Sequence, residues 1–107
     1  MKTFNIENLR NAVTWVKAQG WVIRTGIYWH KEDYPNVKLC CPYTAFLAWA
    51  GLIDIDKGWA DKDREIKKLN RGFSRGAFVH GFDDFDHHNK RSTYYQIGVQ
   101  LRKDLKI

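Results

Sequence analysis

The first apolar residues of the chain recur every three or four positions, with polar residues between them. The recurring positions are Ile6, Leu9, Val13 and Val16. Residues three and four apart share one face of an α-helix, so this pattern predicts an amphipathic helix over residues 6–19. Asn5 suits its N-cap, because an Asn side chain accepts a hydrogen bond from a free helix N–H group, and Gly20 suits its stop.

The segment WVIRTGIYWH, at residues 21–30, is rich in β-branched and aromatic residues, which favours a strand. The turn-forming segment KEDYPN follows it, and VKLC at residues 37–40 has the character of a returning strand. The pattern therefore predicts a β-hairpin over about residues 21–40, in which Gly26 marks a bulge or a bend.

Residues 43–50 are apolar on nearly every side of the helix that they would form. Pro42 precedes them and suits a first helical turn, where its missing N–H would have had no partner. Gly51 follows as a stop. A helix that is apolar all round belongs in the interior, so we expect residues 43–50 to be the central helix of the core.

Two further helices are indicated before the polar loop FDDFDHHNKR. Residues 59–71 form a charged helix with a thin apolar stripe, and Gly72 is its stop. The stripe consists of Trp59, Ile66 and Leu69. A shorter helix begins after Ser74, a suitable N-cap, and is expected to bury Phe78 and Phe82.

The last predicted helix is capped by Ser92 or Thr93 and carries its apolar residues on one face. That face consists of Tyr94, Ile97, Leu101 and Leu105. Gly98 lies inside this helix, where a glycine is about 1 kcal/mol less favourable than alanine, so we expect it to permit the close approach of another backbone. Together the elements predict a mainly helical α+β fold, with a small β-hairpin and a central apolar helix, in a single globular domain over residues 1–107.

Composition limits the class of protein further. Aromatic residues make up 15% of the 107 residues, which argues against disorder, and the formal net charge is +6. A basic balance favours a polyanionic partner, nucleic acid above all. The charge is spread evenly along the chain, so ordinary solubility charge is the competing interpretation.

Cysteine usage and hydropathy bear on the compartment. Cys40 and Cys41 are adjacent and do not form a disulfide framework, so we expect both to be reduced. The start MKTFNIENLR lacks the apolar stretch of a secretory signal, and the longest uncharged run, residues 39–53, is too short for a membrane span. These features predict a soluble cytoplasmic protein with no membrane partner and no cofactor.

Cys41 is the first candidate for chemistry. A cysteine at the start of a helix lies at the positive end of the helix dipole, which favours the nucleophilic thiolate. A cysteine-dependent hydrolase would then need a base and an orienting group, for which His80 and Asp83 are the candidates. The competing interpretation is a structural cysteine that begins the core helix.

The segment CPYTAFLAWAGLIDI, residues 41–55, resembles the start of the NlpC/P60-type cysteine peptidases. In that family a cysteine opens a helix of small and apolar residues, so the resemblance implies a nucleophilic role for Cys41. The likeness covers about 15 residues. The next predicted segment is the charged helix at residues 59–71, whereas the family continues with strands, and Cys40-Cys41-Pro42 replaces its Asp-Cys-Ser opening.

A wider pattern resembles small bacterial and phage proteins. It combines CPYTA at residues 41–45, FVHGFDD at residues 78–84 and YQIGVQLR at residues 95–102. The pattern implies one compact domain in a bacterial, phage or mobile-element setting, and it implies no particular activity.

A metal site is a weaker hypothesis. The chain offers Cys40, Cys41, His80, His87 and His88 as ligands. Zinc sites usually draw on spaced pairs, and two adjacent cysteines or histidines do not readily face one ion. The loop is therefore expected to be solvated, and no metal is predicted.

The candidate nucleic-acid-binding residues lie on and after the charged helix. They are Arg64, Lys67, Lys68, Arg71 and Arg75. The first four are spaced i, i+3, i+4 and i+7, which places them in one stripe that could follow a phosphate backbone. Aromatic residues of the hairpin, Trp21, Tyr28 and Trp29, could stack on bases or pack into the core.

The sequence therefore predicts a small non-enzymatic accessory or regulatory protein with a macromolecular partner, either nucleic acid or protein. The cysteine-dependent hydrolase is the alternative. Exposed aromatic residues could equally serve a homodimer.

Overall fold

The computed structural model describes residues 3–25, 29–30, 38–56, 62–71, 74–87 and 89–106, with only the backbone at residues 29, 30 and 63. Within these residues the chain forms five α-helices and three two-residue strands. In chain order they are α1 (Ile6–Ala18), β1 (Val22–Ile23), β2 (Trp29–His30), β3 (Leu39–Cys40), α2 (Pro42–Trp49), α3 (Asp63–Arg71), α4 (Arg75–Asp83) and α5 (Thr93–Leu105). The predicted mainly helical α+β fold is confirmed.

Helix α1 has the predicted caps at both of its ends. The Oδ1 atom of Asn5 accepts a hydrogen bond from the backbone N–H of Asn8 at 2.8 Å. At the other end Gly20 takes φ = 90°, a left-handed conformation that favours glycine. One side of the helix is buried, and its members are Leu9, Ala12, Val13 and Val16.

The predicted hairpin is only partly right. β2 pairs with β3 in antiparallel register, as a hairpin requires. The segment at residues 21–30, however, contributes two strands instead of one, and β1 pairs with β3 in parallel on its other side. Because Cys40 is fully buried, both backbone edges of β3 need hydrogen-bond partners, and the two short strands supply them. Gly26 and the turn at residues 31–36 lie outside the described residues.

Helix α2 occupies the centre of the core, as its composition predicts. Every side chain from Pro42 to Ala48 is buried. The ring of Phe4 packs edge-on against Phe46 of α2 and against Phe78 of α4, with centroid distances of 5.1 and 5.0 Å. This aromatic cluster joins the start of the chain, the central helix and α4 into one core.

Helices α4 and α5 pack with their backbones in direct contact. A Cβ atom placed on Gly98 would collide with the carbonyl oxygen of Phe78 and would lie 2.7 Å from the backbone nitrogen of Phe82. A Cβ atom on Gly81 would likewise collide with the carbonyl group of Tyr95. The expectation that Gly98 permits close backbone approach is confirmed, and α4 supplies the neighbouring backbone.

This contact also widens the predicted face of α5. Leu101 is buried, and Tyr94, Ile97 and Leu105 pack against the core while partly exposed, as predicted. Tyr95 and Gly98 are buried as well. The glycine contact turns the Gly98 side of the helix toward α4, so the neighbours of Gly98 on that side are buried. Ser92 is the N-cap residue, although its side chain makes no capping hydrogen bond.

Helices α3 and α4 bury the apolar residues predicted for them, although α3 begins at Asp63, so Lys62 of the helix predicted over residues 59–71 is not helical. In α3, Leu69 is buried and Ile66 is partly buried, while Trp59 and Gly72 lie outside the described residues. In α4, the Oγ atom of Ser74 accepts a hydrogen bond from the N–H of Ala77 at 3.2 Å. Phe78 and Phe82 of α4 are buried as expected.

We expect Gly98→Ala to lower the free energy of unfolding by at least about 2 kcal/mol, because the added methyl group meets backbone that cannot move aside without separating α4 from α5. Gly76→Ala is the matched control. Its Cβ would meet nothing within 4 Å, so the same change there should be neutral or should stabilise by up to about 1 kcal/mol. Denaturant unfolding of both variants tests this, and equal stability of the two would contradict the close helix crossing.

Candidate functional site

Helix α3 is held beside α2 by polar contacts near each of its ends. The Nζ atom of Lys62 donates a hydrogen bond to the carbonyl oxygen of Gly51 at 3.0 Å, just beyond the end of α2. The hydroxyl of Tyr43, near the start of α2, donates to Oδ1 of Asn70 at 2.8 Å. The start of α3 therefore lies near the end of α2, and the end of α3 lies near the start of α2. The two helices run in opposite directions.

The side chains that α3 turns away from the core form a continuous basic face. We define the basic face as Arg64, Lys67, Lys68 and Arg71, and all four side chains are exposed. At 1.5 Å of rise per residue the face extends about 10 Å along the helix. The predicted stripe thus exists as one surface.

Two of the other helices, α1 and α5, contribute a cation to an ion pair, whereas the basic face does not. Elsewhere in the described residues the pairs are Arg10–Asp104 at 2.7 Å, Lys38–Asp56 at 3.7 Å, Lys90–Asp86 at 3.1 Å and Arg102–Asp84 at 3.3 Å. Within the part of the chain that the structure describes, no carboxylate lies within 4.0 Å of a cation of the basic face. These four charges are therefore available to an external anion.

Arg75, the fifth predicted binding residue, lies in the first turn of α4. Its guanidinium carbon is 5.1 Å from the centroid of the Tyr43 ring, an arrangement that allows a cation–π interaction. Since Tyr43 also bonds Asn70, the same aromatic ring contacts Arg75 and holds the end of α3. Arg75 is exposed but engaged, in contrast to the basic face.

The predicted aromatic stacking surface loses one of its members. Trp21 is only 2% exposed and packs in the core, so its ring is not available to a base. The Nζ atom of Lys38 lies 5.9 Å from that ring. The side chains of Tyr28 and Trp29 lie outside the described residues.

Cys41 is the N-cap of α2, as the predicted helix start requires. Its Sγ atom accepts a hydrogen bond from the N–H of Thr44 at 3.5 Å and lies 3.4 Å from the Thr44 hydroxyl. The side chain is only 4% exposed. Burial raises the pKa of the Cys41 thiol above its usual range, although the hydrogen bonds from Thr44 act in the opposite direction. Burial, followed by the neighbouring Cys41, raises the pKa of Cys40 to about 12.

The other two residues of the hydrolase hypothesis lie on α4. The ring of His80 is hydrogen-bonded to the ring of His87, with 2.9 Å between the two Nδ1 atoms, and Sγ of Cys41 bonds Thr44. Asp83 is near enough for its charge to contribute to the raised pKa of Cys41. A carboxylate that raises a thiol pKa opposes thiolate formation, so this geometry favours a structural role for Cys41.

The His80–His87 contact is a feature that sequence reasoning missed. The two residues are seven positions apart, and α4 ends between them at Asp83. Their proximity depends on a chain reversal at Asp84, which takes a left-handed conformation that Asp adopts more readily than most residues.

Among the described residues, no group of three or more His, Cys, Asp or Glu side chains is arranged to hold a metal ion. In the same part of the chain, none of the helices has both the length and the apolar character that crossing a bilayer requires. Comparison with known protein families, with curated proteins and with solved structures found no match for this chain.

We expect both cysteines to react slowly with iodoacetamide in the native protein, because the thiolate is the reactive form and burial disfavours it. With a pKa of about 12 instead of 9.0, Cys40 holds about a thousandth of the thiolate of an ordinary thiol near pH 8. Mass spectrometry that resolves each cysteine, with denatured protein as control, measures the rates. Rapid native labelling of Cys41 alone would contradict the structural role and support the hydrolase.

Proposed function

We propose that this protein is a small non-enzymatic accessory or regulatory protein that binds nucleic acid through the basic face of α3, with Arg75 at its margin. The observation that carries the proposal is the set of four exposed cations, spaced i, i+3, i+4 and i+7, with no carboxylate partner among the described residues. Exposed cations in such a row are the usual means of contacting a phosphate backbone.

The dimensions of the basic face match a short run of phosphates. One strand of DNA carries a charge about every 3.4 Å of helix axis, so about 10 Å of α3 faces roughly three phosphates. If the basic face neutralises about three phosphates of duplex DNA, the logarithm of the binding constant should fall with the logarithm of salt concentration with a slope of about −2.7. The affinity of the isolated face is therefore expected to be modest and strongly salt-dependent.

The side chains of α3 favour backbone contact over base recognition. Adenine is usually recognised by the side-chain amide of Asn or Gln, which forms two hydrogen bonds with the edge of the base. The amide of α3 belongs to Asn70, whose Oδ1 atom already accepts the Tyr43 hydroxyl. Binding through this face is accordingly expected to depend little on sequence.

The setting that we propose for this activity is the cytoplasm of a bacterial or phage-infected cell. Both cysteines are free thiols in the structure, which is typical of a reducing compartment. A protein partner with an acidic surface is the alternative occupant of the basic face, and a second copy of the chain is the alternative for the exposed aromatic residues.

The proposal is tested by reversing three charges of the basic face, in the variant Lys67→Glu/Lys68→Glu/Arg71→Glu. We expect it to lose at least about tenfold in affinity for a fluorescent DNA oligonucleotide at low salt, because each lost cation removes a phosphate contact. Fluorescence anisotropy across a salt series measures both the affinity and the slope.

The matched control is Lys17→Glu/Arg91→Glu/Lys103→Glu. It has the same formal net charge as the test variant, and Lys17 and Lys103 lie in last helical turns just as Lys68 and Arg71 do. Since only the location of the charges differs, the control should retain most of the affinity of the parent protein. Equal losses in both variants, with both still folded by circular dichroism, would show that bulk charge and not the basic face attracts the DNA.

A further inference from the structure

We propose that His80 and His87 form a two-histidine site for a divalent late transition-metal ion, with Cu²⁺ bound most tightly. Their Nδ1 atoms are 2.9 Å apart, and both side chains are only partly buried. The site is independent of the proposed nucleic-acid binding, since it uses α4 and the segment after it and no residue of the basic face.

The end of α4 brings the two histidines together. Asp84 takes a left-handed conformation with φ = 61°, and the N–H of Phe85 donates to the carbonyl oxygen of His80 at 2.9 Å. This cap reverses the chain, so that His87 returns to the side of α4 from which His80 projects. The metal-free protein therefore already holds both imidazoles in contact.

Aromatic neighbours hold each of the two rings in place. The His87 ring stacks on Tyr95 of α5, with centroids 5.8 Å apart and planes 17° from parallel. The His80 ring meets Phe85 edge-on at 6.2 Å. These contacts keep the two imidazoles adjacent, although the rings must still tilt to direct their lone pairs at an ion. The conformational freedom lost in bringing two ligands together is therefore smaller here than at a mobile surface histidine.

The chemistry of the exchange balances with one proton. In the metal-free protein one of the two Nδ1 atoms carries a hydrogen and donates it to the other, which accepts with its lone pair. On binding, that N–H bond breaks and a proton is taken up at Nε2 of the same ring, by way of solvent, so that both imidazoles stay neutral. Each Nδ1 lone pair then forms one bond to the metal, and no electron transfer is involved.

The separation of the nitrogens selects among metals. With metal–nitrogen bonds of about 2.0–2.1 Å, two nitrogens 2.9 Å apart subtend an angle of about 90° at the ion. Square-planar and tetragonal geometries, which Cu²⁺ and Ni²⁺ prefer, have this angle, and Cu²⁺ also leads the general affinity order. The ring centroids are 5.1 Å apart, so the nitrogens face each other along the hydrogen bond and both rings must tilt toward the ion.

The charges around the pair suit a cation bound with water as its other ligands. The carboxylates at the end of α4 and in the following segment are Asp83, Asp84 and Asp86. They are balanced in part by cations, since Asp84 pairs with Arg102 and Asp86 pairs with Lys90. Among the described residues no third His, Cys, Asp or Glu completes a metal cluster, so the expected coordination is two imidazoles and solvent.

The test titrates the folded full chain with Cu²⁺, Ni²⁺ and Zn²⁺ and follows binding by calorimetry and thermal melting. We expect one Cu²⁺ per chain, bound more tightly than Ni²⁺ or Zn²⁺, and a melting temperature that rises with Cu²⁺ concentration. His80→Gln and His87→Gln should each weaken Cu²⁺ binding at least about tenfold, since even indirect changes at metal sites commonly cost that much.

The matched controls are His30→Gln and His88→Gln, which should leave Cu²⁺ affinity unchanged. Loss of binding in either control, or full affinity in His80→Gln or His87→Gln, would overturn the proposal. Paramagnetic resonance of Cu²⁺ bound to the unsubstituted protein provides a readout that does not depend on how the variants fold. Coupling to two histidine nitrogens is the expected result, and coupling to one or to none would also overturn the site.

Discussion

The burial of helix α2 is the constraint on which the rest of this structure depends. Every side chain from Pro42 to Ala48 is buried, so the helix needs neighbours on all sides. Helix α1 packs along it, Phe4 joins it to α4, and β3 leads directly into its first turn. Because β3 enters this buried helix directly, its own backbone at Cys40 is buried as well. The hydrogen-bonding groups on both edges of β3 therefore need partners, which β1 and β2 supply.

The same burial gives Cys41 and Tyr43, two positions apart, different roles. Cys41 caps the helix from inside the core, where burial opposes the thiolate more strongly than the helix start favours it. Tyr43 is buried too, but its hydroxyl reaches Asn70 and its ring lies beneath Arg75. The central helix thus buries the thiol and at the same time fixes the position of α3. A reactive Cys41 would require this helix start to be exposed to solvent. The anchoring of α3 through Tyr43 requires it to be buried.

Sequence patterns predicted those features that depend on neighbours close in the chain. The caps at Asn5 and Ser74 and the apolar character of residues 43–50 are local, and each was predicted correctly. Gly98 stood out as a costly residue inside a helix, which pointed to a backbone contact without naming its partner. The parallel pairing of β1 with β3 was missed because a two-residue strand has too few positions to show which neighbour it takes. The His80–His87 pair was missed because it depends on the reversal at Asp84 and on the packing of Tyr95, neither of which periodicity reports.

Charge distribution, more than net charge, separates the basic face from the rest of the surface. Asp84, Asp86 and Asp104 lie at or near the ends of α4 and α5, where Arg102, Lys90 and Arg10 respectively pair with them. Helix α3 is fastened by Lys62 at one end and by Asn70 at the other, so these links use none of the four exposed cations. Net charge is spread evenly along the sequence, but in the folded protein four basic residues lie together on one face of α3. Under the proposed function, this concentration of four cations without carboxylate partners among the described residues on one helix face is what would direct an anion to α3.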